Sequence, residues 1–146
     1  MPLATKMHRC TFVDTTDTAM LSDVSDSRDA TVGDYDGDGH LDIFVANFAD
    51  RQDPAYSGSM LSGSNYLYRN TGNGVAGQIS FEKATATTVT DPSDTSTLHA
   101  EFGDYDGDGF LDLAVSNFRT TFDLYRNDGN GELLQAPTCI TCSFAT

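Results

Sequence analysis

One stretch of this chain is written twice. Gly33–Phe48 reads GDYDGDGHLDIFVANF, and Gly103–Phe118 reads GDYDGDGFLDLAVSNF. An acidic, glycine-punctuated stretch that returns at the same length marks an array of like structural units. The match extends outward from it. Asn65–Asn70 (NYLYRN) returns as Phe122–Asn127 (FDLYRN), and each copy runs into a glycine turn, Thr71–Gly74 or Asp128–Gly131. A Phe-centred segment follows at Ile79–Glu82, with counterparts at Cys10–Val13 and Cys142–Ala145. Phe12, Phe81 and Phe144 thus mark one position three times, while the acidic motif occurs twice. The expected organisation is the tail of one unit followed by two full units, as in a piece of a longer array or one that closes on a partner.

Each unit reads as strands. Leu41–Phe48 is β-branched and aromatic with few polar interruptions, which suits a strand covered on both faces. Tyr66–Arg69 and Leu124–Arg126 are short aromatic strands entering glycine turns. Thr31–Val32 and Ala100–Phe102 are short strands ahead of the acidic stretch, and the Phe81 and Phe144 segments supply a fourth strand to each unit. Ser22–Asp29 and Asp91–Leu98 read as polar connectors. Four short strands per repeat and no long helical periodicity predict an all-β fold: two four-stranded antiparallel β-propeller blades plus a leading strand from a preceding blade. The expected boundaries are residues 1–28 for the leading strand and connector, 29–85 for the first blade and 86–146 for the second. The first blade carries a polar insertion, ADRQDPAYSGSMLSGS, at residues 49–64. A loop is where a repeat tolerates added residues.

The acidic stretch places carboxylates at loop positions 1, 3, 5 and 9: Asp34, Asp36, Asp38 and Asp42 in the first copy, Asp104, Asp106, Asp108 and Asp112 in the second. Carboxylates packed this closely repel one another unless a cation lies among them. Glycines at 37, 39, 107 and 109 let the chain curl and turn its oxygens inward. Oxygen-only ligands at flexible spacing favour Ca²⁺, with two sites expected, and the main-chain carbonyls of His40 and Phe110 at position 7 would complete them. The spacing is that of the first half of an EF-hand, but position 12 is Val45 or Val115, and the flanks are strands.

The pattern G-D-Y-D-G-D-G-x-L-D, followed by a buried strand and then L-Y-R-N, resembles FG-GAP/VCBS repeats. The resemblance covers most of residues 10–146. It implies calcium-stabilised propeller blades like those of integrin α-chains and of many secreted or surface proteins. Such blades serve cell adhesion or extracellular recognition of a protein or glycan ligand, and the Phe segment is their outermost strand. The implied setting is extracellular, cell-surface or another calcium-rich lumen. The implied role is a binding module with structural calcium, not an enzyme. Two rival roles are part of a secreted carbohydrate-active enzyme, and a structural subunit whose partners are further blades of the same or another chain.

Composition bounds the partners. The 146 residues carry a net charge of −14, which opposes binding to nucleic acid or anionic membrane surfaces. No apolar run approaches the roughly 20 residues of a spanning helix, so no membrane insertion is expected. The first residues, MPLATKMHRC, lack an apolar leader, so any secretory signal lies outside this chain or has been removed. Cys10, Cys139 and Cys142 are too few for a zinc site without further ligands, and fit a local disulfide or buried thiols. Gly72–Gly77 matches G-x-G-x-x-G, but a strand-like segment follows it where a dinucleotide site needs a helix. Arg69 and Arg126 recur with the repeat, which points to structural pairing, and no nucleophile–base set is legible.

Overall fold

The computed structural model describes residues 25–48, 63–72, 79–84, 89, 96–118 and 122–136. Eight strands fall into two sheets of four. The first sheet holds β1 (Asp26–Gly33), β2 (Asp42–Phe48), β3 (Tyr66–Asn70) and β4 (Phe81–Lys83). The second holds β5 (Thr97–Gly103), β6 (Asp112–Asn117), β7 (Phe122–Asn127) and β8 (Leu133–Gln135). In each sheet the strands lie side by side in chain order, and every pair is antiparallel. The all-β, blade-like reading therefore stands: two propeller-blade-like sheets, not closed into a ring.

The repeat is exact at the level of register. Gly33 pairs with Asp42 and Gly103 with Asp112, so the acidic stretch is the β1–β2 connection in one sheet and the β5–β6 connection in the other. A bulge falls between Ser27 and Asp29, and again between Thr97 and His99. The first strand of each sheet is longer than its apolar residues indicate, reaching back to Asp26 and Thr97 through stretches that read as connectors. Ser27, Arg28, Ala30 and Val32 of β1 are exposed, so burial imposes no apolar pattern there. β2 and β6, in contrast, are buried along most of their length, as their apolar composition requires.

The second sheet corrects one expectation. Its fourth strand is Leu133–Gln135, not the Cys142–Ala145 segment. The cause is the turn Asp128–Gly131. Asp128 N–H donates to the Glu132 carbonyl at 3.0 Å, and Asp128 Oδ1 accepts N–H groups from Asn130 and Glu132. Gly129 and Gly131 adopt φ of 79° and 82°, which few other residues tolerate. The chain reverses at once, and Leu133 lies opposite Asn127 as Phe81 lies opposite Asn70. The leading strand around Phe12, the Phe144 segment, most of the insertion at 49–64, and the three cysteines lie outside the described residues.

One core serves both sheets. Phe44, Ala46 and Leu67 of the first sheet cluster with Ala100, Leu113, Val115 and Leu133 of the second, and Tyr35 from the first acidic loop joins them. The Tyr35 and Phe102 rings stack across the junction, with centroids 6.4 Å apart. The junction is also tight at Gly33, where a Cβ would meet Leu111 Cδ1 at 2.8 Å and Phe102 Cδ2 at 3.2 Å. At the end of the sheets away from the acidic loops, a buried polar chain crosses the junction. Asn47 N–H donates to Asn65 Oδ1 at 2.9 Å, Asn65 Nδ2 to Thr97 Oγ1 at 3.0 Å, and Thr97 Oγ1 to Asn117 Oδ1 at 2.9 Å. Buried amides and hydroxyls are tolerated when paired in this way, and they fix the register of what they join.

Along the β1–β5 seam, β1 side chains accept from the β5 main chain. Ala100 N–H donates to Asp29 Oδ2 at 3.0 Å, and Phe102 N–H to Thr31 Oγ1 at 3.4 Å. Asp29 also pairs with His99. The Ala100 N–H bond is the main cause that holds the Asp29 carboxyl below its ordinary range, with the His99 contact adding to it. A depressed carboxyl contributes stability above its unfolded value, near about 3.9, and loses it as pH falls through the folded value. Asp29→Ala strands the Ala100 N–H, at an expected cost of about 1–3 kcal/mol near neutral pH. Thermal unfolding of both proteins across pH is expected to show a gap that narrows below about pH 4. A gap that holds constant into more acid solution would contradict this reading of the seam.

Candidate metal centre

The two acidic loops are built by the same local rules. Gly37 and Gly39 sit at φ of 74° and 88°, and Gly107 and Gly109 at 79° and 94°. No atom lies within 4 Å of a Cβ built at any of the four. The requirement for glycine there is conformational and not a matter of space. The aspartates then hold the curl by accepting main-chain N–H groups. Gly39 N–H donates to Asp34 Oδ2 at 2.9 Å, Asp38 N–H to Asp36 Oδ1 at 3.2 Å, and His40 N–H to Asp38 Oδ1 at 2.9 Å. In the second loop, Gly109 donates to Asp104 Oδ2, Asp108 to Asp106 Oδ1, and Phe110 to Asp108 Oδ1.

The ninth position has a second job. Asp42 is fully buried and accepts from Tyr35 N–H at 3.1 Å and from Asn70 N–H at 2.7 Å. Asp112 accepts from Tyr105 N–H at 3.0 Å and Asn127 N–H at 2.8 Å. Each carboxylate therefore ties the start of its loop to the end of the third strand of its sheet. Burial pushes the Asp42 carboxyl up to about 6 against the pull of those two N–H bonds, and the Asp36 and Asp38 charges push the same way. Burial likewise raises Tyr35, to about 12.

Among the described residues, carboxylate oxygens of Asp34, Asp36 and Asp42 lie within 4.8 Å of one another, and so do those of Asp104, Asp106 and Asp108. Asp38 Oδ2 faces Arg69 as Asp108 Oδ2 faces Arg126, and both oxygens of Asp112, like those of Asp42, face backbone N–H groups. His40 and Phe110 contribute packing through their side chains. The imidazole lies over Gly72 and the phenyl ring over Gly129, so close that a Cβ on either glycine would collide. The two loops differ at their first position. Asp104 Oδ1 accepts N–H groups from Gly107 and Asp108, whereas Asp34 Oδ1 is buried without a hydrogen-bond partner. A buried, unpartnered carboxylate oxygen amid other carboxylates is costly in itself.

The recurring Arg-Asn pair that ends β3 and β7 serves these loops directly. Arg69 pairs with Asp36 and Asp38, and Arg126 with Asp106 and Asp108. The Arg126 hydrogen bond holds the Asp106 carboxyl below its usual range. Asn70 Nδ2 donates to the Leu41 carbonyl at 3.2 Å, while its Oδ1 accepts Gly72 N–H at 3.1 Å. Asn127 Nδ2 donates to the Leu111 carbonyl at 2.9 Å and to the Tyr35 carbonyl of the other loop at 2.6 Å. The structural pairing expected of the arginines thus has named partners. The asparagines were not singled out from the sequence, although their recurrence beside each arginine was the available signal.

These contacts set an order of costs. Asn127 is fully buried and bonds across the junction, whereas the Asn70 side chain serves only its own sheet in the contacts described above. Asn127→Ala is expected to destabilise by about 2–4 kcal/mol, and Asn70→Ala by about 1 kcal/mol. Chemical denaturation of the two variants checks this order, and equal losses would contradict it.

The family model of the FG-GAP-like repeat matches residues 55–115. That span includes β3, β4, β5 and the second acidic loop, and ends within β6. No curated protein matches the chain. Among the described residues, no helix is long and apolar enough to cross a membrane. The matched span holds one acidic loop with its flanking strands, so residues 55–115 carry an FG-GAP-like repeat, and the first sheet repeats that loop in the same register.

Proposed function

We propose that the two loops are calcium sites and that the chain is a calcium-stabilised repeat module of an extracellular-type recognition or adhesion protein. The observation that carries this reading is Asp34 Oδ1, a buried carboxylate oxygen with no hydrogen-bond partner inside a cluster of acidic oxygens. The donor set fits the ion, being all oxygen and set on a glycine-shaped loop. Asp34, Asp36, Asp38 and Asp42 would hold it in the first sheet, with Asp104, Asp106, Asp108 and Asp112 in the second, and the His40 and Phe110 carbonyls would complete the two sites. Bound calcium would supply charge neutralisation and a fixed loop geometry. Extracellular modules bind it with dissociation constants of roughly 10⁻⁴ to 10⁻³ M, and an affinity in that range would suit a calcium-rich compartment.

In this reading the calcium is structural. The loop carboxylates are taken up by backbone N–H groups and arginines, an arrangement suited to holding a turn and not to moving protons. The ligand would be a protein or a glycan, and the module itself non-catalytic. The exposure of equivalent tyrosines supports further blades as partners. Tyr35 is 5% exposed beneath the second sheet, while Tyr105, at the same loop position, is 48% exposed.

Calorimetric titration of calcium into chelator-stripped protein tests the proposal. Two binding events per chain are expected, both lost in the Asp36→Ala plus Asp106→Ala variant. Absence of binding up to several millimolar would overturn it. The calcium-loaded protein, screened against soluble polysaccharides, is expected to leave them intact, and release of reducing ends would make it an enzyme.

A further inference from the structure

We propose that Arg69 and Arg126 are resident counter-ions of the acidic loops, holding the carboxylate oxygens that a divalent cation must take over. This rests on the calcium reading and adds to it what the cation competes with. Arg69 Nε donates to Asp36 Oδ2, and its Nη2 lies 3.4 Å from Asp38 Oδ2. Arg126 Nε donates to Asp106 Oδ2, and its Nη2 lies 2.9 Å from Asp108 Oδ2. The same two oxygens are therefore taken by a guanidinium in both loops.

The choice of oxygen is what matters. In all four carboxylates the Oδ1 atom already accepts a main-chain N–H from Asp38, His40, Asp108 or Phe110. Those bonds maintain the curl of the loop and use one acceptor position of each Oδ1, so Oδ2 is the less committed atom that each carboxylate offers to a cation. The guanidinium occupies that atom in every case. Its planar fork suits two adjacent carboxylates better than a lysine ammonium would. The arginine side chains are 47% and 58% exposed, so each can swing into solvent when displaced. An exposed pair of this kind is weak enough to be exchanged. The loop thus keeps a positive charge beside it at low calcium, and calcium binding carries the cost of removing that charge.

The test is calorimetric titration of calcium into the full chain at roughly 0.15 M salt, where long-range charge effects are screened. The variants are Arg69→Gln and Arg126→Gln, with Arg69→Lys and Arg126→Lys as milder changes should the first pair fold poorly. Arg28→Gln is the charge control, since Arg28 pairs with Asp26 at the end of β1 away from the loop. The glutamine variants are expected to bind calcium about two- to fivefold more tightly at the altered loop, the fold-change that an exposed ion pair represents. They are also expected to melt earlier than the parent in chelator. The lysine variants should fall between, and Arg28→Gln should leave affinity unchanged. Unchanged or weaker affinity in the glutamine variants, with the parent still binding, would overturn this inference alone. Equal tightening in Arg28→Gln would also overturn it, as a general charge effect. Absence of binding in the parent and in every variant would overturn the calcium reading and this inference with it.

Discussion

A buried aspartate at the ninth position of each acidic loop holds the rest of the structure in place. Asp42 and Asp112 each accept two main-chain N–H groups, one from the first turn of the loop and one from the end of the third strand. Three separate pieces of chain are thereby fixed to one carboxylate: the loop, the strand that follows it, and the strand that carries the Arg-Asn pair. The strand ladder cannot do this, because the loop lies beyond its last pairs at Gly33–Asp42 and Gly103–Asp112. Burying a carboxylate is expensive, and charge-assisted hydrogen bonds offset much of that cost. The remaining tension, visible in the upward push on Asp42, is what a cation beside it would relieve.

From that anchor the two sheets are joined by contacts of different kinds at different depths. Near the loops, Asn127 reaches the Tyr35 carbonyl of the neighbouring sheet, and Tyr35 stacks on Phe102. In the middle, Phe44, Leu113 and Val115 share one apolar core. At the far end, Asn47, Asn65, Thr97 and Asn117 pass hydrogen bonds across the junction. The apolar core supplies adhesion without direction, and the polar contacts at either end fix the register. The first loop is therefore supported from two sides, its own sheet and the next. Tyr105 stands in the open at the equivalent place in the second loop.

Much of this was legible in the sequence because the repeat is legible. Identical loop spacing marks two like units, their order along the chain and the positions of the acidic residues. The inner strands declared themselves through the apolar runs Asp42–Phe48 and Asp112–Asn117. What failed to show was whatever depends on who faces whom. β1 and β5 extend through polar residues because one side of β1 meets solvent and β5 meets side-chain acceptors, and no alternation records that. For the fourth strand of the second sheet, the shared phenylalanine points to Phe144 and the turn decides otherwise. The glycines of Asp128–Gly131 reverse the chain well before Phe144, and Leu133 takes the place that Phe81 holds in the first sheet. The partners of Arg69 and Arg126 lie far from them in sequence, so recurrence revealed that the residues matter without revealing to what.

On the proposed calcium reading, each loop would be a cation-held turn on sheets already held by their ladders and shared core. Amide hydrogen exchange, followed residue by residue by NMR in chelator and then in saturating calcium, tests it most directly. Gly39 and Gly109 donate to the first-position aspartates, while the N–H of Leu67 lies in the buried third strand. Calcium is expected to slow exchange at Gly39 and Gly109 by about tenfold or more and to leave Leu67 slow in both conditions. Exchange at the two glycines that is indifferent to calcium would contradict the account.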